Sequence, residues 1–170
     1  MNNPHYLLRP VNPAFIALSF LLAFLFNMMP WGRLLWIPDL VALTLVFWNI
    51  HQPRKVGMGI AFVLGLLMDV HDARLLGEHA MAYTLLAYFA ITIHRRVLWF
   101  PVFSQALHIL PLLFLAHAVP VVIRLVMGAS LPDWTIALAP VIETMLWPLA
   151  TALLLAPQRR PQHVDKNRPI

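Results

Sequence analysis

Between residues 10 and 32 the chain carries no Asp, Glu, Lys or Arg. An uncharged apolar run of that length matches the roughly 20 residues an α-helix needs to cross a hydrocarbon core of about 30 Å. It is longer than the apolar region of a secretory signal, and no small-residue cleavage site follows it, so it reads as a retained first helix. The rest of the sequence is of the same kind. Apolar residues make up 61% of it and charged residues 11%, where soluble domains average about 25% charged, and the mean hydropathy is +0.75. A soluble domain of about 150 residues leaves roughly 30% of its chain surface exposed, too much to conceal this apolar content. The expected solvent is therefore lipid. That excludes a soluble globular enzyme, a disordered chain and a secreted disulfide scaffold. There is no Cys, which removes thiol catalysis, Cys-based zinc sites and disulfides. The net charge of +5 is not a nucleic-acid footprint, because in a membrane chain the asymmetry between loops carries the information.

Six segments read as spans: Ala14–Met29, Leu35–Ile50, Val56–Val70, Leu76–Ile93, Val102–Gly128 and Thr135–Ala156. The competing count is four spans with re-entrant pieces. The runs are continuous and not alternating, which disfavours a β-barrel. Pro30-Trp31-Gly32, Gln52-Pro53-Arg54, Pro101 and Leu131-Pro132-Asp133 punctuate them. The loops are short, so neighbouring helices form antiparallel hairpins with no extramembrane domain. The layout is thus one integral membrane domain: a short N-terminus over residues 1–13, a bundle over 14–156 and a basic tail over 157–170. Arg9, Arg54, Lys55, Arg95, Arg96, Arg159, Arg160, Lys166 and Arg168 fall on one side, against Arg33 and Arg74, with Arg124 inside the fifth span. The positive-inside rule then places both termini in the cytoplasm. Trp31, Trp36, Trp99 and Trp134 fall at the expected interfaces.

Gly57, Ala61, Gly65 and Asp69 recur every four residues, which puts three small side chains and a carboxylate on one helix face. Such rows let backbones approach closely. The row reads as an intramolecular seam, or as a docking face for a partner helix. Asp69, His71 and Asp72, followed by Glu78-His79, could ligate a divalent cation. The plainer account ends one helix at the aspartates and starts the next at Glu78, where the helix dipole favours a negative charge. Glu143 lies about 12 Å into the sixth span, where an ionised carboxylate costs roughly 2.5–3.5 kcal/mol. It is expected to pair with His117 or Arg124, which are seven apart on one face of the fifth span. Asp39 reads as a hydrated group near a helix end. Pro111, Pro120, Pro140 and Pro148 are expected to break the last two helices. His51 and His94 read as solvated. No nucleophile elbow, phosphate-binding loop or zinc-protease motif occurs.

The stretch W-N-I-H-Q-P-R-K-V-G-M-G-I-A-F-V-L-G-L-L-M-D from Trp48 to Asp69, continued by L-L-G-E-H-A-M-A-Y at 75–83, with N-M-M-P-W at 27–31 and L-W-P at 146–148, resembles the rod shape-determining MreD family. Trp48, Pro53, Gly57, Gly65, Asp69 and Gly77 carry the likeness, which spans nearly the whole chain. The sequence departs from the family in the charged Asp72-Ala73-Arg74 turn and in a longer basic, proline-containing tail. The resemblance implies a non-enzymatic inner-membrane component of the cell-elongation machinery, without catalytic residues, cofactor or metal. It implies association with MreC and, in the wider complex, with MreB, RodA and the elongation transpeptidase. It also implies a six-helix arrangement similar to the substrate-capture subunits of energy-coupling vitamin transporters. A vitamin-type capture subunit is accordingly the alternative function; a membrane enzyme using Asp69, His71 and Asp72 is the third class considered.

Overall fold

Capping side chains mark where the first two helices begin. In a computed structural model, which describes residues 11–30, 36–73 and 75–158, Asn12 Oδ1 accepts the Ala14 N–H at 3.0 Å with Pro13 in the first helical turn. Asp39 Oδ1 accepts the N–H groups of Val41 and Ala42 at 2.9 and 3.0 Å. Each cap supplies an acceptor to backbone donors that have none within their own helix. The described residues form six α-helices: α1 (Pro13–Asn27), α2 (Leu40–His51), α3 (Met58–His71), α4 (Glu78–Leu98), α5 (Val102–Val126) and α6 (Leu138–Leu155). One 3-10 turn, Trp134–Ala137, leads into α6 and another, Ala156–Gln158, follows it.

The six expected spans thus correspond to six helices, with shifted ends. The second starts at Leu40 instead of Leu35, because Asp39 caps it. The fourth runs on to Leu98, with Arg95 and Arg96 in its last turn, where positive charge complements the helix dipole. Contrary to expectation, Pro111, Pro120 and Pro148 do not break the helices: α5 and α6 run on through them. Pro140 does not break α6. It falls in the first turn, where its missing N–H removes no intrahelical bond. Arg9, Trp31, Arg33, Arg74, Arg159, Arg160, Lys166 and Arg168 lie outside the described residues.

Helix α2 is the axis of the bundle. Every residue from Val41 to Ile50 is buried, and the helix packs against α1, α4, α5 and α6. Phe47, Trp48 and Trp147 lie at its centre, with Phe47 edge-on to Trp48 at 5.0 Å and tilted against Trp147 at 5.9 Å. Trp48 Nε1 donates to Ser19 Oγ at 2.8 Å, which ties α2 to α1 and satisfies a buried indole N–H. Helix α3 lies at the edge and packs mainly on α4. Gly65 makes that possible. A Cβ at this position would overlap Ala80 Cα and stand 2.5 Å from Ala80 N and 2.6 Å from the His79 carbonyl carbon.

The apolar content that does not fit inside is on the outside. Leu18, Leu22, Phe62, Leu67, Phe103 and Leu107 are all exposed. Soluble monomers rarely show contiguous apolar patches of more than a few hundred Å². Among the described residues, the stretches Val102–Val126 and Trp134–Gln158 are long and apolar enough to cross a membrane, and α1, α2 and α3 are apolar but shorter.

Candidate functional site: a polar cluster clasping one end of the bundle

The buried carboxylates Asp69, Glu78 and Glu143 lie with Asp39 where α1, α3 and α5 end and α2, α4 and α6 begin. Asp39 is the hub. Besides capping α2, its Oδ1 accepts from Asn27 Nδ2 at 2.7 Å, and its Oδ2 accepts a short hydrogen bond from the Tyr83 hydroxyl. Asn27 Oδ1 in turn accepts the Leu40 N–H at 3.2 Å. The Asp39 N–H donates to Glu143 Oε1 at 2.7 Å, and His117 Nε2 lies 2.7 Å from the same oxygen. One connected network therefore joins α1, α2, α4, α5 and α6. Glu143 is fully buried, and its Oε2 has no hydrogen-bond partner among the described residues.

A third carboxylate fastens the remaining helix. Asp69, 1% exposed at the end of α3, accepts the Gly77 and Ala80 N–H groups on Oδ2 at 2.8 and 3.3 Å. On Oδ1 it accepts the His79 N–H at 2.8 Å, with His79 Nδ1 at 2.9 Å. It thus acts as the N-terminal cap of α4 from across the hairpin. Gly77 adopts φ +109°, a conformation glycine tolerates and other residues rarely take. Gly77→Ala should therefore lower the melting temperature in detergent, with a loss of about 1–2 kcal/mol, while leaving the helical content intact by circular dichroism. Glu78, 4% exposed, accepts from Arg124 Nε at 2.9 Å and Nη2 at 2.8 Å on one oxygen.

Of the two partners expected for Glu143, His117 takes that place and Arg124 pairs with Glu78 instead. Asp39 is not the simply hydrated group its position near a helix end suggested; capping and three side-chain partners fix it. The small-residue row is only partly a seam. Ala61 and Gly65 are buried, Gly65 against Ala80. Gly57 precedes the helix as its N-cap, with nothing within 4 Å of a Cβ placed there. Pro53 lies in the turn that follows α2. His71 is exposed and edge-on to Phe24. His51 is half-buried, stacked on Phe47 at 4.1 Å with Nδ1 2.9 Å from the Phe47 carbonyl oxygen. His94 Nδ1 lies 2.5 Å from the Ile91 carbonyl oxygen. No group of three or more His, Asp or Glu suited to holding a metal occurs among the described residues. Asn27 and Tyr83 belong to the cluster without having stood out in the sequence. The available signal was Asp39 itself, an aspartate directly before an apolar run, which is a helix-start signature.

Above the cluster lies a cavity of about 320 Å³, with Asn27, Asp39, His71, His79, His117 and Arg124 among the residues on its walls. These residues sit at helix ends, apart from His117, which lies about two and a half turns before the end of α5. The chemistry this permits is binding: both signs of charge and several hydrogen-bonding groups converge on one opening. Glu143→Leu should destabilise the bundle by about 1–3 kcal/mol for each donor stranded without an acceptor, the Asp39 N–H and the His117 ring. Glu143→Gln, which keeps the amide oxygen as an acceptor, should recover most of that loss in the same melting assay.

Fold and site together define a small all-helical bundle with apolar outer faces, clasped at one end by buried carboxylates. The model of the family "rod shape-determining protein MreD" matches residues 8–156. A rod shape-determining protein MreD from Haemophilus influenzae (strain ATCC 51907 / DSM 11121 / KW20 / Rd) is 26% identical over 147 residues, covering 83% of this chain and 88% of that relative. No solved structure matches. The chain belongs to the MreD family.

Proposed function

We propose that this chain is a non-enzymatic, multi-pass component of the bacterial inner membrane that maintains rod shape by scaffolding or regulating peptidoglycan synthesis together with MreC. The support is the family match over residues 8–156 on a bundle whose outer faces are apolar. Such a distribution suits a bilayer, where apolar surface faces lipid and polar groups turn inward or towards the ends. Among the described residues, Arg54, Lys55, Arg95 and Arg96 lie at the end opposite Asp39, and Arg124 lies at the Asp39 end. The positive-inside rule therefore points the Asp39 end outward and both termini into the cytoplasm.

In this reading the seam of Ala61 and Gly65 holds the hairpin rigid, and the polar outward end shapes the contact with MreC. MreB, RodA and the elongation transpeptidase belong to the wider complex. Because the chain has no Cys, single cysteines report topology cleanly. A cysteine at position 3 or 165 should resist a membrane-impermeant maleimide in intact cells, and one at Asp133 should react. Depletion of the protein should round the cells, and MreC should co-purify with the wild type. Ends on opposite sides of the membrane, or rods unchanged on depletion, would overturn the proposal.

A vitamin-type capture subunit is the second reading. The cavity with His117 and Arg124 on its walls and Glu143 directly behind His117 favours it. A water-soluble molecule held by the purified protein would support that alternative.

A further inference from the structure

The polar cavity has a neighbour. An apolar groove of about 650 Å³ runs between α1, α2 and α6, with Phe15, Leu22, Phe26, Leu43, Leu149 and Leu153 on its walls. Both volumes fall within the roughly 300–1,000 Å³ of small-molecule sites. Pro38 borders the cavity and the groove alike. On either side of the divide, residues adjacent in sequence face different spaces. Asn27 and Asp39 line the cavity, and Phe26 and Leu40 line the groove. The groove follows α1 from Phe26 to Phe15, about 16 Å at 1.5 Å per residue. That is close to half of a hydrocarbon core of about 30 Å, the depth of one leaflet.

We propose that cavity and groove together form one site for a zwitterionic phospholipid of the leaflet at the Asp39 end. An amine-bearing phosphate head of the phosphoethanolamine type occupies the cavity, and one acyl chain lies along the groove. The proposal rests on the bilayer placement given above. Head-group chemistry follows from the walls. Arg124 directs two of its five N–H donors at Glu78, and guanidinium groups recognise phosphate oxygens with the rest of their fork. Asp39 and Asp72 also line the cavity, and their negative charge suits an ammonium. A purely anionic head would bring no ammonium to those carboxylates. An acyl chain moving from bilayer to groove exchanges one hydrocarbon surrounding for another, so the tail contributes fit and the head sets selectivity.

The test is native mass spectrometry of the full chain extracted from nanodiscs containing equal amounts of phosphatidylethanolamine and phosphatidylglycerol with identical chains. Wild-type protein should retain phosphatidylethanolamine at least tenfold over phosphatidylglycerol, at one molecule per chain. Val121→Phe, which fills the cavity, and Ala150→Phe, which fills the groove, should each reduce that retention at least fivefold at unchanged melting temperature. Should either variant misfold, a phosphatidylethanolamine with a photoreactive acyl chain serves on the wild type. Adducts concentrated on residues 146–154 support the site, and adducts spread evenly over the outer faces overturn it. Equal retention of the two lipids also overturns it. Displacement by soluble glycerophosphoethanolamine, or loss with Val121→Phe alone, overturns it in favour of a water-soluble ligand. These failures concern the lipid site only. A chain monodisperse in buffer without detergent would instead sink the bilayer placement beneath it.

Discussion

Gly65→Ala is expected to be nearly as damaging as Gly65→Leu, each costing about 3 kcal/mol or more and collapsing the yield of folded protein. Overpacking usually costs about 1–3 kcal/mol because neighbouring side chains can shift. Here the atoms in the way are main chain. A Cβ on Gly65 meets Ala80 Cα, the Ala80 nitrogen at 2.5 Å and the His79 carbonyl carbon at 2.6 Å. Ala80 cannot withdraw without pulling its N–H from Asp69 Oδ2. The first added carbon therefore does most of the harm. Gly59 on the same helix has nothing within 4 Å of an added Cβ, so Gly59→Ala should be neutral or stabilising by up to about 1 kcal/mol through helix propensity. Melting curves in detergent for the three variants decide the matter. A mild Gly65→Ala would mean that α3 and α4 are not in backbone contact. In cells, complementation of a depletion strain should fail for both Gly65 variants and succeed for Gly59→Ala.

Asp69→Ala is the other large effect expected, at about 3 kcal/mol or more, because each buried donor stranded without an acceptor costs about 1–3 kcal/mol. Three backbone N–H groups, from Gly77, His79 and Ala80, lose their acceptor together, and so does the His79 ring. Asp69→Asn should be intermediate, since an amide keeps one acceptor oxygen and turns a donor towards the other N–H groups. Hydrogen exchange measured by mass spectrometry provides the specific readout. Protection should fall first at residues 77–81, the start of α4, before the rest of the bundle opens. Uniform loss of protection would show that Asp69 does not act as the cap.

The number of helices among the described residues and the burial of Glu143 are legible in the sequence because both follow from the cost of exposing polar groups to hydrocarbon. Gly65 stands out for a related reason: small residues at four-residue spacing have a purpose wherever lipid gives helices no cause to associate. The network around Asp39 was not legible. Its members come from five helices, and hydropathy along one helix says nothing about which neighbour presents Tyr83 or Asn27. The pairing of His117 with Glu143, in place of Arg124, depends on the relative rotation of α5 and α6, which a shared helix face leaves open. Gly57 misled because the four-residue spacing continues one step past the point where the helix begins.

The edge position of α3 has a consequence for biogenesis. At 14 residues it rises only about 21 Å, short of a hydrocarbon core of about 30 Å. Its close neighbour is α4, which leaves the ribosome after it. A translocon handling α3 alone would hold a segment too brief to settle, ending in an aspartate with nothing to bind. In the bilayer placement proposed above, Asp69 would receive its donors and Gly65 its opposing backbone only once α4 emerges, so the two helices would enter the membrane as a pair, the later one carrying the earlier one in.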